Sequence, residues 1–309
     1  MASLSPESIQ QIKRLDLRAR MVVRGFLQGL HASPLQGFSV QFADHKRYAR
    51  GDDPKLIDWL AYAKTDRYFV KRFEAETNMT GYLVMDLSAS MSMQTEAMSK
   101  FEYSVCLAAS LTYLMTMQQD PVGLMSVAES LRAILPAKSR RDHVGNVIAS
   151  LSNLQPTGRT DLVGSMQQLV AMLRHKSLIM VFSDLLPSGG NEDARPSDDA
   201  SASTTADVTE ALCRLGHAGH DVIVFHVLDR SEVEFDFRGA VEFEDSETGG
   251  TISVDADAYR DQYRQQLDRY RDDLRAALSS LRMDYVPLDT GMPFDKALTE
   301  YLINRRDRL

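Results

Sequence analysis

Three apolar runs of strand length, each ending at polar residues, constrain the fold of this chain more than any other feature. They are Tyr82–Met85, Leu178–Ser183 and Val222–Leu228, and segments with helical periodicity separate them. Continuous apolar runs are typical of strands that are buried on both faces of a parallel sheet. The alternation of strand and helix therefore predicts an α/β protein. Its sheet is expected to be doubly wound and mainly parallel, with helices on both faces and these three strands at its centre.

Oxygen-bearing side chains follow two of these strands at the point where each strand ends. Asp86, Ser88 and Ser90 come directly after the first run, and Asp184 follows the second. Thr160 lies in a loop that opens the helix before the second strand. Because the carboxyl ends of parallel strands gather at one edge of the sheet, these side chains are expected to meet there. Their oxygens suit a Mg2+-like or Ca2+-like ion, although Asp86 taken alone is equally typical of a helix cap.

The same five positions resemble the metal-ion-dependent adhesion site of von Willebrand factor A domains. The Asp-x-Ser-x-Ser motif of that site is matched by Asp86, Ser88 and Ser90, its separate threonine by Thr160, and its later aspartate by Asp184. The resemblance implies a von Willebrand factor A-like domain that holds a divalent cation, Mg2+ foremost, with Mn2+ or Ca2+ as alternatives. It also implies that an acidic side chain of another protein completes the coordination of the ion.

A second resemblance rests on a dense block of motifs ahead of the first strand. The block comprises Gly37–Tyr48, Gly51–Pro54, Ile57–Trp59 and Ala63–Arg67. It is similar to the bacterial and archaeal family known as domain of unknown function number fifty-eight, whose members carry this block just before an A-domain-like segment. The resemblance implies a MoxR-type AAA+ ATPase as a partner, and a role in the assembly or activation of a client protein.

The chain divides where its residue pattern changes. Residues 1–34 are predicted to form an N-terminal helix, residues 35–80 a β-rich accessory segment that carries the signature block, and residues 81–309 the A-domain-like unit. Within the last unit, residues 187–206 are predicted to be a loop, because they are rich in Ser, Gly, Asp and Ala. Residues 233–254 are predicted to be a β-hairpin insertion, which we expect to pair with strands of the 35–80 segment in a small β-rich accessory lobe.

Charge and composition argue against several classes of protein. The formal net charge of -8 disfavours general nucleic-acid binding, so a module that binds nucleic acid through its basic leading helix is the least favoured class. Cys106 and Cys213 both lie in helix-like runs, which favours a reducing compartment without disulfides. The sequence shows neither a signal-peptide pattern nor an apolar run of membrane-spanning length, and we expect a cytoplasmic protein without membrane insertion.

A second group of residues is predicted to form a docking or interdomain surface. The group consists of Arg14, Arg18, Tyr48, Asp52, Asp53 and Trp59. The two arginines are expected to face away from the apolar stripe of the leading helix. For the aspartates and Trp59 the competing interpretation is structural, because Asp bonds to the backbone in turns and a lone Trp commonly packs in a core.

These patterns favour a non-enzymatic, metal-dependent adaptor that binds other proteins. The sequence nominates no convincing nucleophile or general base to act beside the ion, and no catalytic residue is predicted. The competing hypothesis is a metal-dependent phosphohydrolase that uses Asp86 and Asp184.

Overall fold

The structure is a computed structural model that describes residues 14–32, 45–47, 69–71, 79–186, 198–246, 249–294 and 296–299. Contacts along the backbone divide the chain into two compact units. The larger unit comprises Met1–Gln28 together with Met79–Leu309, and the smaller unit is Gly29–Asn78. The main sheet and all five predicted metal ligands belong to the larger unit.

The strands of the described residues form one six-stranded sheet and two sheets of two strands each. In chain order they are β1 (His45–Arg47), β2 (Phe69–Lys71), β3 (Gly81–Asp86), β4 (Val122–Val127), β5 (Leu131–Lys138), β6 (Leu178–Ser183), β7 (Asp221–Leu228), β8 (Ala240–Glu244), β9 (Thr251–Asp255) and β10 (Asp284–Asp289). The strand predicted at Leu178–Ser183 has the predicted bounds, and those at Tyr82–Met85 and Val222–Leu228 are extended by one residue at an end or at both.

The helices alternate with the strands of the main sheet. They are α1 (Leu15–Ala32), α2 (Lys100–Met117), α3 (Arg141–Asn153), α4 (Leu162–Met172), α5 (Asp198–His217), α6 (Arg230–Glu234) and α7 (Ala256–Ser280). Local capping explains where two of them begin: the Ser99 hydroxyl accepts from the backbone N–H of Glu102 at the start of α2, and the Asp161 carboxylate accepts from that of Gly164 at the start of α4. Within the described ranges, no helix combines the length and the apolar character that a membrane span requires.

The main sheet has the strand order β10-β7-β6-β3-β4-β5. All its neighbouring strands are parallel except β5, which pairs antiparallel with β4 at one edge. The prediction that Tyr82–Met85, Leu178–Ser183 and Val222–Leu228 are parallel and central is confirmed. Beginning at β3, the chain adds strands first toward β5 and then, from β6, toward β10, which is the order of a doubly wound sheet. The order reverses between β3 and β6, and such sheets bind ligands in the crevice outside the carboxyl ends of those strands.

Helices cover both faces of this sheet, because successive side chains of each strand point to opposite sides. On one face, Val84, Val181 and Val224 belong to a buried cluster that includes residues of α4, α5 and α7. On the other face, α2 contacts β3, β4 and β7, and the side chain of Met115 packs closely against the backbone of Gly81. The predicted α/β architecture with a mainly parallel, helix-flanked sheet is confirmed.

The hairpin insertion forms, but it does not pair as predicted. Strands β8 and β9 pair with each other, and in the smaller unit β1 pairs with β2. The prediction that the hairpin joins strands of the 35–80 segment is therefore wrong for the strands that the structure describes. The start of α7 holds the hairpin instead, because the Ala256 N–H donates to the Gly239 carbonyl and the Asp257 carboxylate accepts from the Gly239 N–H.

Helix α5 begins earlier than the sequence indicated. It includes residues 198–206, which were predicted to belong to the loop at 187–206, and residues 187–197 lie outside the described residues. The short polar side chains of this stretch favour turns when they are judged locally. The helix is anchored farther along by the buried residues Val208, Leu212 and Leu215. Extending an existing helix is much less costly than nucleating one, so the anchored segment continues through the polar stretch.

Candidate metal centre

The five predicted ligands lie at the carboxyl edge of the main sheet, where the strand order reverses. Asp86 is the last residue of β3, and Asp184 directly follows β6. Both carboxylates are almost completely buried, with 4% and 1% of each residue exposed. Ser88 and Ser90 lie in the turn after β3, and Thr160 lies just before α4. Strands of one sheet thus bring together residues that are far apart in the chain.

The Asp86 carboxylate is held by neutral hydrogen-bond donors. Its Oδ1 accepts from the Ser88 backbone N–H at 2.9 Å and from the Thr160 hydroxyl at 3.2 Å. Its Oδ2 accepts from the Ser183 hydroxyl at 2.5 Å. Burial, and after it the negative charge of Asp184, raise the pKa of Asp86 to about 6, although these hydrogen bonds oppose the rise. The folded chain therefore makes a bare negative charge on Asp86 costly.

The Asp184 carboxylate has a different environment. Its Oδ2 accepts from the Lys100 ammonium at 2.8 Å, and its Oδ1 accepts from the Leu186 backbone N–H at 3.3 Å. Burial alone would raise the pKa of Asp184, but the charge and hydrogen bond of Lys100, aided by a hydrogen bond from Ser90, lower it below its usual value. The Ser88 and Ser90 hydroxyl oxygens lie 3.0 Å apart. The two serines therefore connect the two aspartates.

Lys100 is the main residue of the site that the sequence interpretation missed. It is the first residue of α2, it is fully buried, and its ammonium group also donates to Glu232 Oε1 at 2.9 Å. Burial opposes its charge, yet Asp184 and Glu232 together raise the pKa of Lys100. The local pattern carried no signal for this pairing, because the two acidic partners of Lys100 lie 84 and 132 positions away in the chain.

Glu232 connects the site to the short helix α6. While its Oε1 accepts from Lys100, its Oε2 accepts from the Asp229 backbone N–H at 2.7 Å, which completes the capping box at the start of α6. Burial raises the pKa of Glu232 above its usual value in spite of the attraction of Lys100. Helix α6 is therefore tied to the sheet edge through a continuous chain of charged groups.

The backbone after β6 is held in a strained conformation. Leu185 has a φ of 52°, in the left-handed region that non-glycine residues seldom adopt. Its N–H donates to the Ser183 hydroxyl at 2.9 Å, and its carbonyl accepts from the Tyr270 hydroxyl at 2.9 Å. Such a conformation persists only where the surroundings enforce it. These contacts hold the Asp184 carboxylate in position beside Lys100.

The side chains of the site suit a hard divalent cation. In the part of the chain that the structure describes, no three His, Cys, Asp or Glu side chains form a metal-binding group. The candidate set is of another kind, with the carboxylates of Asp86 and Asp184 and the hydroxyls of Ser88, Ser90 and Thr160. All are oxygen ligands of the type that Mg2+ and Ca2+ prefer. Because Lys100 already engages one oxygen of Asp184, Asp86 and the three hydroxyls would hold such an ion, with Asp184 in a supporting role.

The predicted docking group is described only at its two arginines. Arg14 directly precedes α1, and Arg18 lies on α1 next to the buried residue Ala19. Arg14 is exposed and forms an ion pair with Asp16 at 2.9 Å, whereas Arg18 is half-buried. The other members lie outside the described residues: Tyr48, Asp52, Asp53 and Trp59. A docking role for this group stays a prediction.

The fold and the site together define an α/β protein with a doubly wound sheet and an oxygen-rich, buried acidic site at the switch point of the strand order. The chain belongs to the family described as "Protein of unknown function DUF58", whose family model matches residues 44–273. The family resemblance of the signature block is thereby confirmed.

Several known proteins are similar to this chain over most of its length. An uncharacterized protein of Mycobacterium tuberculosis is 24% identical over 305 residues, which cover 97% of this chain and 90% of that protein. Among solved structures, the conserved hypothetical protein BatB from Bacteroides thetaiotaomicron is 16% identical, with a TM-score of 0.46 over 74% of this chain and 99% of BatB. The PilB minor pilin from Streptococcus sanguinis is 13% identical, with a TM-score of 0.43 over 77% of this chain and 64% of PilB.

Proposed function

We propose that this chain is a metal-dependent adaptor that binds other proteins through a von Willebrand factor A-type site and has no catalytic activity. The observation that carries the proposal is the Asp86 carboxylate. It is buried at the switch point, held by neutral donors, and accompanied by three hydroxyls and a second carboxylate. A cation bound there would offset the burial and the nearby Asp184 charge that together raise the pKa of Asp86.

A coordination position that the protein leaves free determines which outside ligand such an ion can bind. Neutral hydroxyl ligands leave most of the positive charge of the ion uncompensated, and Mg2+ requires about six oxygens in near-octahedral array. A carboxylate from another protein is the oxygen ligand that best completes this set. The proposed activity is therefore metal-dependent capture of an acidic side chain.

The proposed partners are a MoxR-type AAA+ ATPase and a client protein whose assembly or activation the ATPase drives. The resemblance of the signature block supports this part of the proposal. A cytoplasmic location belongs to the same proposal, because such ATPases work where ATP is available.

Calorimetric titration tests the metal site. Mg2+, Mn2+ and Ca2+ are titrated into the wild-type protein, into Asp86→Ala and into Asp207→Ala, a matched control that removes an exposed carboxylate of α5. We expect modest affinity in the wild type and in the control, and loss of binding in Asp86→Ala. Capture of the ATPase on immobilised protein, with and without chelator, is measured in parallel. Equal cation binding by all three proteins, or capture that is indifferent to chelator, would contradict the proposal.

A metal-dependent phosphohydrolase is the second candidate, and one observation favours it. Asp86 and Asp184 place two buried carboxylates at one edge of the sheet, an arrangement that can hold the metal ion of such an enzyme. His226 is unsuited to assist, because burial lowers its pKa to about 3 and its Nδ1 lies 2.6 Å from the Tyr285 hydroxyl. A panel of phosphoesters with Mg2+ or Mn2+ separates the two functions, since turnover that disappears in Asp86→Ala would establish the enzyme.

A further inference from the structure

A large cavity adjoins the candidate metal centre. It has a volume of about 750 Å3 and lies among the turn after β3, the short helix α6, the β8–β9 hairpin and the first turns of α7. Its volume falls within the range of ligand-binding clefts in proteins. Ser90, Lys100 and Glu232 line one end of the cavity. A ligand that reaches the ion from this end of the cavity would therefore place the groups next to its metal-binding group inside the cavity.

One wall of the cavity is aromatic and fixed in position. The ring of Phe235 lies 4.5 Å from that of Tyr263, and the rings of Phe237 and Phe243 lie 5.2 Å apart. The Arg260 guanidinium donates to the carbonyls of Phe235 and Phe237, which ties this segment to α7. A wall that is already ordered loses little conformational entropy when a ligand binds.

The cavity also concentrates exposed apolar side chains. Leu186, Ile252 and Tyr259 line it and are 47%, 57% and 44% exposed, among only seven large apolar residues that are exposed in the described part of the chain. Scattered exposed apolar residues are ordinary, but a contiguous patch beside a polar centre indicates an interaction site. An aromatic or large aliphatic side chain is the group that such a surface recognises.

The charges at the cavity restrict the ligand further. The ammonium of Lys100 is already compensated by Asp184 and Glu232. Glu244, the last residue of β8, adds negative charge to the lining. A ligand with a basic group on the hairpin side is therefore complementary to the cavity, while its acidic group faces the ion.

We propose that the cavity binds a peptide segment of a partner protein in which an acidic residue is followed closely by a large apolar residue and then by a basic residue. The acidic residue occupies the metal centre, and this step rests on the proposed function. The apolar residue enters the aromatic cavity, and the basic residue lies against Glu244. The cavity thus determines which acidic segments the ion captures.

Synthetic peptides test the proposal. The probes are short fluorescein-labelled Gly/Ser peptides that carry Asp, Phe and Lys in that order, with one, two or three residues between Asp and Phe. Their counterparts replace Asp by Asn, Phe by Ala or Lys by Glu. Binding is measured by fluorescence polarisation in Mg2+ and in chelator. At the best spacing we expect the Phe peptide to bind at least tenfold more tightly than the Ala peptide, the difference that about 1.4 kcal/mol of buried apolar contact produces.

Two exposed positions allow a test that spares the fold. Ile252→Ser and Tyr259→Ala are expected to abolish the preference for Phe and to leave Mg2+ binding unchanged. Met172→Ser removes an apolar side chain that is 42% exposed on α4, outside the cavity, and serves as the matched control. The Lys to Glu change in the peptide should weaken binding at least threefold.

The outcomes separate this inference from the proposed function. If Mg2+-dependent binding of the Asp peptides is equal with Phe and with Ala, or if no peptide binds, the inference is overturned. If binding depends on Phe, is lost in Ile252→Ser and is indifferent to chelator and to Asp, the cavity is supported and the metal-dependent function fails. A Phe preference that persists in both cavity variants would also overturn the inference.

Discussion

Two aspartates at the same edge of one sheet differ in almost every electrostatic respect. Asp86 ends β3 and is held by neutral donors, and its pKa is raised to about 6. Asp184 follows the adjacent strand β6 and accepts from the Lys100 ammonium, and its pKa is lowered. Both are buried, so burial does not explain the contrast. The presence of one buried cation beside Asp184 does, whereas the donors to Asp86 among the described residues are neutral.

The largest effect is expected from removal of that cation. Lys100→Met leaves Asp184 and Glu232 buried without their partner, which typically costs about 3–5 kcal/mol of stability. Urea unfolding measures the change. Lys176→Met is the matched control, because Lys176 pairs with Asp221 at the surface and such pairs contribute at most about 1 kcal/mol. If both variants were equally stable, Lys100 would not be stabilising the buried Asp184 carboxylate.

The second largest effect is expected in the pH dependence of stability, which should differ between the wild type and Asp86→Asn. The Asp86 carboxyl group ionises at higher pH in the folded than in the unfolded chain, so the contribution of Asp86 to stability falls as pH rises from about 4 to about 6. The full difference corresponds to about 3 kcal/mol. In Asp86→Asn this fall is absent, and urea unfolding in chelator at several pH values measures it. A pH-independent difference between the two proteins would contradict the raised pKa.

Asp184 should show the opposite dependence on pH. Because its pKa is lowered in the folded state, its contribution is fully present above about pH 4, the unfolded value, and is lost as pH falls through the folded pKa. The two windows do not coincide, so the same titration series distinguishes the two carboxyl groups.

A smaller effect is expected when one of the neutral donors to Asp86, the Ser183 hydroxyl, is removed. Ser183→Ala removes the donor to Asp86 Oδ2 and the acceptor of the Leu185 N–H, and we expect a loss of about 1–3 kcal/mol. Ser165→Ala is the control, because the buried Ser165 hydroxyl has no hydrogen-bond partner in the described residues. Thermal or urea unfolding compares the two. If both substitutions were equally mild, the Ser183 hydroxyl would not be stabilising Asp86.

The smallest expected effect is stabilisation by the cation. At a Mg2+ concentration tenfold above its dissociation constant, ligand linkage adds about 1.4 kcal/mol to the stability of the wild type. Asp86→Asn should show no such increase, because it lacks the carboxylate that most needs a counter-charge. Melting temperatures with and without Mg2+ provide the measurement, and an equal rise in both proteins would place the ion elsewhere.

Local patterns in the sequence were sufficient for the central strands of the main sheet and for the five polar residues at its edge. Strand β6 has the predicted bounds because a buried parallel strand is apolar throughout, and such a run is visible without tertiary information. The gathering of Asp86, Ser88, Ser90, Thr160 and Asp184 at one edge also followed from strand direction alone, since parallel strands all end on the same side. The start of α5 could not be predicted, because packing of its later turns outweighs the turn preference of its first residues.

The counter-charges of the site depended on long-range contacts. Lys100 meets Asp184 and Glu232 across 84 and 132 positions of the chain, and Ser183 meets Asp86 across 97. A residue pattern shows which side chains carry charge, but it does not show which charged side chains are buried next to each other. The same limit applies to the aromatic cavity, whose walls come from α6, the hairpin and α7. Residue types and their periodicity therefore determine the sheet and its polar edge, whereas the folded arrangement determines which of two similar aspartates pairs with a buried lysine and which is held by neutral donors.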